Sequence, residues 1–143
     1  MVRAVFGTEN ALTLPISGTG SAGMEACFVN LVSPGDTVIV CQNGVFGGRM
    51  KENVERCGAT AVMVEDNWGD PVSIDKVTAA FDQHPDASIL AFVHAETSTG
   101  AHQDLTGLGE LLHDAGMMLA VDAVTSLGGH ELKVDSWGID AIY

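Results

Sequence analysis

The chain contains 143 residues, of which 46% are hydrophobic and 17% charged, enough apolar sequence for one compact domain with a buried core. Six basic and 19 acidic residues give a formal net charge of −13, and a surface this acidic disfavours nucleic acids and anionic membranes as partners. No apolar run approaches the ~18 residues of a membrane span, and the N-terminus lacks the pattern of a signal peptide.

The spacing of the cysteines and histidines indicates whether disulfides or a metal site are to be expected. Cys27, Cys41 and Cys57 are widely spaced among apolar residues, which predicts reduced, buried thiols in a cytoplasmic protein rather than a disulfide framework. The five histidines show no metal-ligand spacing, so we expect no catalytic metal.

Four short apolar runs predict β-strands. They cover residues 37–41, 60–64, 88–93 and 117–121, and each is nearly continuous in apolar side chains. Strands of this kind are buried on both faces, as in a parallel sheet. Residues 138–143 resemble the start of a fifth strand, and we expect the chain to be a truncated portion of a larger protein.

Helices are predicted between the strands. The second candidate runs roughly from Gly48 to Arg56 before Gly58, and the third follows a cap at Ser73. The first candidate has one apolar stripe, formed by Met24, Cys27, Phe28 and Leu31. The third directs Ile74, Val77 and Phe81 inward, and the fourth, which ends at Gly116, contains Leu105, Leu108, Leu111 and Leu112. The alternation predicts an α/β fold with a doubly wound, mostly parallel sheet and helices on both faces.

The segment from Ser17 to Glu25, SGTGSAGME, predicts a phosphate cradle. Glycines let the backbone approach an anion closely, and the following helix presents free N–H groups and a positive dipole end. A glycine turn without a ligand is the alternative. The glycine spacing also fits a dinucleotide fingerprint, but the next strand ends in Gln42 and Asn43 without the carboxylate that would hold a ribose.

Three further segments follow strands, where ligands bind in such sheets. Asp122 ends an apolar strand and needs a cationic or hydrogen-bonding partner, such as a protonated pyridine nitrogen, unless it only caps the next turn. Phe46 could stack on a flat cofactor or belong to the core. Residues 94–100 form a polar, hydroxyl-rich loop, which could also be ordinary loop solvation. Together these features suit a phosphorylated heteroaromatic ring better than a dinucleotide.

These motifs taken together resemble those of the class V, fold-type-I aminotransferases that use pyridoxal 5′-phosphate, with the alanine–glyoxylate/serine–pyruvate branch most similar. The resemblance spans nearly the whole chain. The segments that carry it are residues 13–25, 33–36, 43–47, 96–100, 121–129 and 138–143.

The resemblance implies a role for each matching residue. Thr19, Gly20 and Ser21 match the positions that hold the cofactor phosphate. The remaining matches are Phe46 as the ring-stacking aromatic, Thr97 near the cofactor 3′-oxygen, Asp122 as the partner of the pyridine nitrogen, and Val124 under the ring. An acid beside that nitrogen keeps it protonated, so that the ring accepts electrons.

The resemblance also implies what this chain does not contain. The family's Schiff-base lysine follows a segment beyond the final Asp-Ala-Ile-Tyr strand, whereas Lys51, Lys76 and Lys133 match surface positions. Residues 1–143 therefore correspond to part of the cofactor-binding large domain, without the small C-terminal domain, and the chain alone is expected to be inactive.

The parent is expected to be a homodimer that transfers an amino group from a small amino acid such as alanine or serine to glyoxylate or a similar 2-oxoacid. Two alternatives stay open. The first is a catalytically inactive module that binds pyridoxal 5′-phosphate or another phosphate, and the second is a fragment of an NAD-binding oxidoreductase.

Overall fold

The computed structural model describes all 143 residues and contains one five-stranded sheet. Its order is β2-β1-β3-β4-β5, and all four pairings are parallel. The strands are β1 (Thr37–Gln42), β2 (Thr60–Glu65), β3 (Ala87–Val93), β4 (Met118–Asp122) and β5 (Ala141–Ile142). The predicted parallel sheet is thus confirmed, including the short fifth strand.

Five helices accompany the sheet. They are α1 (Val2–Phe6), α2 (Gly20–Leu31), α3 (Val45–Arg56), α4 (Ile74–Gln83) and α5 (Leu108–Asp114). The sequence predicted all of them except α1, and α3 begins three residues before the predicted start. None of them has the length and hydrophobicity that crossing a lipid bilayer requires.

The core lies in two layers, one on each face of the sheet. On one face, Leu90 of β3 packs in a cluster with Val77 of α4 and Leu112 of α5. On the other face, its neighbour Ile89 packs in a cluster with residues of α2 and α3, among them Phe28. Because successive side chains of a strand point to opposite faces of the sheet, a continuous apolar run contributes buried side chains to both core layers. Helices on both faces are therefore confirmed.

Some predicted inward positions are wrong. Ile74, the first residue of α4, is 43% exposed, and Leu111 of α5 is 48% exposed. Both lie on the outer side of helices whose buried stripes are narrower than the sequence pattern suggested. The expectation for β2 is also wrong, because this strand forms the sheet edge and only Val64 in it is buried. Of the three free cysteines, only Cys41 is fully buried.

The strand order fixes where a ligand can bind. The chain passes from β1 outward to β2 and then returns to β3 on the opposite side of β1. The connections that follow β1 and β3 therefore lead to opposite sides of the sheet order, and in such sheets a crevice forms between them beyond the carboxyl ends of the strands.

Candidate functional site

The carboxyl ends of the central strands carry the polar loops of the candidate site. Val93 pairs with Asp122 between β3 and β4, and Val40 pairs with Ala91 between β1 and β3, so the strands end at a common edge. Three segments emerge there, namely residues 43–46, 94–99 and 122–126. The structure brings together the three loops that the sequence singled out, while the roles of their residues stay predictions.

The glycine-rich loop leads into α2. Thr19 precedes the helix in an extended conformation, and its hydroxyl makes no capping bond. The first turn of α2 contains no acidic side chain, so no charge there offsets the positive end of the helix dipole. This end of α2 is suited to a bound anion.

Gly20 joins this loop to the segment that follows β4. A Cβ atom on Gly20 would lie 2.5 Å from Cγ2 and 2.9 Å from Cγ1 of Val124. Because Val124 comes two residues after Asp122 and donates its N–H to that carboxylate, the contact joins the N-terminus of α2 to the loop that holds Asp122. The spacing of Gly18 and Gly23 also has a packing reason, since added Cβ atoms would meet Ala22 at 2.7 Å and Tyr143 at 3.0 Å, respectively.

Asp122 is a buried carboxylate that lacks a cation. Its side chain is 4% exposed, and Oδ1 accepts the Val124 N–H at 3.0 Å. Burial raises the pKa of Asp122 and the nearby Glu96 raises it further, whereas the Val124 N–H and the neighbouring Tyr143 hydroxyl lower it. None of the five ion pairs includes Asp122. A buried acid in this state would be stabilised by a positively charged ligand group.

Tyr143 contributes a polar atom that the sequence reasoning did not single out. Its hydroxyl is buried beside Asp122 without completing a hydrogen bond to any protein atom. Burial raises the pKa of Tyr143, and the charge of Asp122 adds to this shift, so the phenol stays neutral.

Phe46 is the second residue of α3 and lies at the same edge. It is half-buried, and the guanidinium carbon of Arg49 lies 5.7 Å from the centroid of its ring. The Phe46 N–H donates to Oε2 of Glu96 at 3.0 Å. Phe46 therefore packs against the core from the site edge, and its stacking on a cofactor stays a prediction.

Thr97 and Val124 lie at the exposed mouth of the site. Val124 is 53% exposed, and the Thr97 hydroxyl is hydrogen-bonded to the hydroxyl of Thr125. This bond links the loop after β3 to the loop after β4, so the positions matched to the ring and the 3′-oxygen are adjacent.

A histidine cluster supports the same two loops. His94 is 1% exposed, and its Nδ1 lies 2.9 Å from Oγ of Ser126. Its ring centroid is 4.7 Å from that of His102 and 6.4 Å from that of His130. Burial, followed by the proximity of His102 and His130, lowers the pKa of His94 to about 4. His94 is thus a neutral structural link, which sequence alone could not distinguish from loop solvation.

The three lysines are engaged with acids elsewhere. Lys51 pairs with Glu55 at 2.6 Å, Lys76 with Asp66 at 2.7 Å and Lys133 with Glu131 at 2.9 Å, and their side chains are 39–54% exposed. These contacts agree with the expectation that all three are surface charges.

A dinucleotide fingerprint requires a strand directly before its glycine loop. Residues 9–19 contain no strand, and the first strand follows α2 instead. Asn43, at the end of β1, is buried and donates its side-chain N–H to the Asp70 carbonyl at 2.7 Å. The geometry does not favour the NAD-binding alternative.

Comparison with known proteins agrees with this geometry. The family model described as "Aminotransferase class-V" matches residues 1–143. The chain belongs to the class V aminotransferase family. This assignment confirms the resemblance inferred from the sequence, and the fold of the class V structures accounts for the sheet and helices described above.

Individual class V members are similar over the whole chain. Alanine–glyoxylate aminotransferase of Rattus norvegicus is 40% identical over 142 residues, which cover 99% of this chain and 34% of the rat protein. The (S)-ureidoglycine–glyoxylate transaminase of Bacillus subtilis is 40% identical over 144 residues, again 99% of this chain and 34% of the relative. A crystal structure of alanine–glyoxylate aminotransferase from Nostoc sp. superimposes with a TM-score of 0.94 at 47% identity, covering 98% of this chain and 37% of that one. The chain thus spans about a third of the length of these relatives.

Proposed function

We propose that this chain forms part of the cofactor-binding large domain of a pyridoxal 5′-phosphate-dependent aminotransferase. The contact between Gly20 and Val124 supports the proposal, because it joins a helix N-terminus without an acidic side chain in its first turn to the loop of a buried acid that lacks a cation. One molecule with a phosphate at one end and a protonated ring nitrogen at the other would satisfy both. Membership of the class V family supports the same cofactor.

The residues at this edge fit the cofactor part by part. Thr19, Gly20 and Ser21 would hold its phosphate through the free N–H groups and hydroxyls at the start of α2. Thr97 would place a hydroxyl near the 3′-oxygen. Phe46 and Val124 would pack against the ring, since one is an aromatic at the edge of the core and the other an exposed aliphatic side chain.

Asp122 has the central chemical role in this proposal. Its carboxylate would accept a hydrogen bond from the pyridine nitrogen and keep that nitrogen protonated. When bound, pyridoxal 5′-phosphate supplies an electron-accepting ring that stabilises negative charge at the substrate α-carbon. The Val124 N–H fixes the carboxylate through Oδ1, and burial excludes water that would weaken the charge interaction.

The lysine that the reaction requires is proposed to lie outside these 143 residues. Lys51, Lys76 and Lys133 are each paired with an acid on the surface. We therefore propose that the chain alone does not catalyse transamination, although its edge binds the cofactor. A module that binds without turnover is the second candidate, favoured by the same pairing of all three lysines.

The amino acceptor is proposed to be glyoxylate. Two of the relatives are named for glyoxylate as acceptor, whereas their donors differ, alanine in one and (S)-ureidoglycine in the other. A small donor such as alanine or serine follows from the sequence resemblance.

The proposed function is tested by assaying the purified full-length protein with pyridoxal 5′-phosphate, alanine and glyoxylate. Formation of pyruvate and glycine in equal amounts supports transamination, and Asp122→Ala should abolish it while Asp75→Asn, a change in the first turn of α4, should not. Cofactor binding without product formation from alanine or serine would favour the inactive module. Failure to bind the cofactor would contradict both.

We also propose a homodimer located in the cytoplasm. Leu12, Leu14 and Ile16 are 78%, 56% and 47% exposed and line a groove of about 470 Å³, which is apolar surface that a second subunit could cover. Three free thiols are consistent with a reducing compartment. Sedimentation of the full-length protein at the mass of one subunit would contradict the dimer.

A further inference from the structure

The N-terminus of α3 is capped by the loop that follows β3. Glu96 Oε2 accepts the Phe46 N–H at 3.0 Å, and Ser98 Oγ accepts the Val45 N–H at 3.0 Å. The preceding residue, Gly44, makes no side-chain cap of its own. Two of the free N–H groups of the first turn are therefore satisfied by side chains some 50 positions away in the sequence.

Glu96 is rigidly held in this arrangement. It is 1% exposed, and its second oxygen, Oε1, accepts the N–H and the hydroxyl of Ser98 at 3.1 and 2.7 Å. No lysine, arginine or histidine pairs with it. Its charge is instead stabilised by the N–H donors and by the positive end of the α3 dipole.

Gly44 leaves the space that Glu96 occupies. A Cβ atom there would lie 2.3 Å from Cγ and 2.5 Å from Cδ of Glu96, distances that side chains do not tolerate. The φ angle of Gly44 is 178°, an extended conformation available to any residue. Glycine is needed at this position for room, not for backbone conformation.

We propose that Glu96 is a positioning residue that fixes the Phe46 ring against the cofactor ring by holding the Phe46 N–H. The inference rests on the proposed binding of pyridoxal 5′-phosphate. A side chain on the first turn of a helix moves with the backbone of that turn, and one strong bond to its own N–H sets where the ring lies. Glu96 thus acts on the cofactor through Phe46.

If Glu96 only stabilised the fold, its effect on cofactor binding would not depend on Phe46. A double-mutant cycle distinguishes this structural role from a role in positioning Phe46. The affinity of the full-length apoprotein for pyridoxal 5′-phosphate is measured by equilibrium dialysis for wild type, Glu96→Gln, Phe46→Ala and the double variant. The amide of glutamine replaces one acceptor oxygen by a donor, so it cannot keep all three bonds. We expect Glu96→Gln to weaken binding about tenfold, because a Phe46 ring that is no longer fixed in advance must be ordered when the cofactor binds.

The coupling between Glu96→Gln and Phe46→Ala shows whether Glu96 acts on cofactor binding through Phe46. If Glu96 acts through Phe46, Glu96→Gln should weaken binding less than about twofold once Phe46 is alanine. Equal effects in both backgrounds, or unchanged affinity in Glu96→Gln, would overturn it. Glu110→Gln, an exposed acid on α5, serves as the matched control and should bind as wild type does.

Gly44→Ala provides an independent variant, since its Cβ displaces the Glu96 carboxylate without changing that residue. Gly44→Ala should also weaken cofactor binding, and this effect should likewise nearly disappear once Phe46 is alanine. The variant keeps the inference testable if Glu96→Gln does not fold. Wild-type affinity in Gly44→Ala would overturn the inference. If wild type itself does not bind the cofactor, the proposed function fails and this inference with it. Binding by wild type with no coupling removes only the inference.

Discussion

Gly20 and Val124 meet at the edge of the sheet so closely that a Cβ atom on Gly20 would lie 2.5 Å from Cγ2 of Val124. Gly20 begins the helix whose positive end is free, and Val124 follows the buried carboxylate of Asp122. The contact therefore joins a helix end that favours negative charge to the loop of an acid that favours positive charge. A ligand that is anionic at one end and cationic at the other is what this edge would bind.

Gly20→Ala should weaken cofactor binding by about tenfold through overpacking. The new methyl group collides with Val124, whose β-branched side chain cannot rotate away freely, so the loop after β4 must shift. Equilibrium dialysis of the full-length protein measures the effect. In a Val124→Ala background, which lacks the colliding methyl groups, Gly20→Ala should cause little further loss of affinity, whereas an equal loss in both backgrounds would show that the contact is not the cause.

Asp122→Asn should raise the stability of the apoprotein at neutral pH while weakening cofactor binding about 100-fold, the loss expected for one partner of a buried charge pair. Burial holds the pKa of Asp122 above its unfolded value. Between the pKa of Asp122 in the unfolded chain and its higher pKa in the folded chain, the folded state keeps a proton that the unfolded state releases. The free energy of unfolding therefore falls as the pH rises through this range. Asparagine keeps the acceptor for the Val124 N–H without this cost.

The melting temperature of the apoprotein and dialysis against the cofactor check both effects. A destabilised apoprotein with unchanged affinity would mean that Asp122 has only a structural role.

His94 should make stability fall as the pH is lowered from 6.5 towards 4. The imidazole has a pKa of about 4 in the folded state, because of burial and then of His102 and His130, against 6.5 in the unfolded chain, while Asp104 opposes the shift. Below pH 6.5 the unfolded chain binds a proton that folded His94 does not, so unfolding is favoured. Melting temperatures across this range should decline less steeply in His94→Gln. An identical slope would assign the decline to other groups.

Tyr143→Phe should increase the free energy of unfolding by about 1 kcal/mol, the cost of a buried polar group without a partner. The Tyr143 hydroxyl is buried in a geometry that completes no hydrogen bond, although it lies close enough to Asp122 to lower the pKa of that carboxyl group. Denaturation with urea gives the difference. A loss of stability in Tyr143→Phe would instead mean that the hydroxyl donates to the Asp122 carboxylate.

Much of the sheet could be predicted because its strands are buried on both faces. Every residue of β3 from Ile89 to Val93 is buried, and such a run is read directly from the sequence. The strand-end loops followed from the same logic, since parallel strands direct their carboxyl ends to one edge. Asp122 could be singled out because it interrupts an apolar run at that edge.

Other features depend on tertiary contacts that no local pattern reveals. The predicted start of α3 was late because two glycines disfavour a helix, yet Gly47 is required by the Cys41 carbonyl, which a Cβ atom would approach to 2.6 Å. α1 is only five residues long with no buried side chain, so it has no apolar stripe to detect.

Glu96 was recognised only as a loop acid, because the Phe46 N–H that it accepts lies 50 positions away. The signal that could have drawn attention to it is its position in a loop that follows a buried strand, at the same sheet edge as the start of α3.

A crystal structure of the full-length protein with pyridoxal 5′-phosphate would test the proposed binding site most directly. We expect the phosphate on the N–H groups of Gly20 and Ser21 and the ring nitrogen within hydrogen-bond distance of the Asp122 carboxylate. A cofactor bound with either end elsewhere, or no binding at this sheet edge, would contradict it.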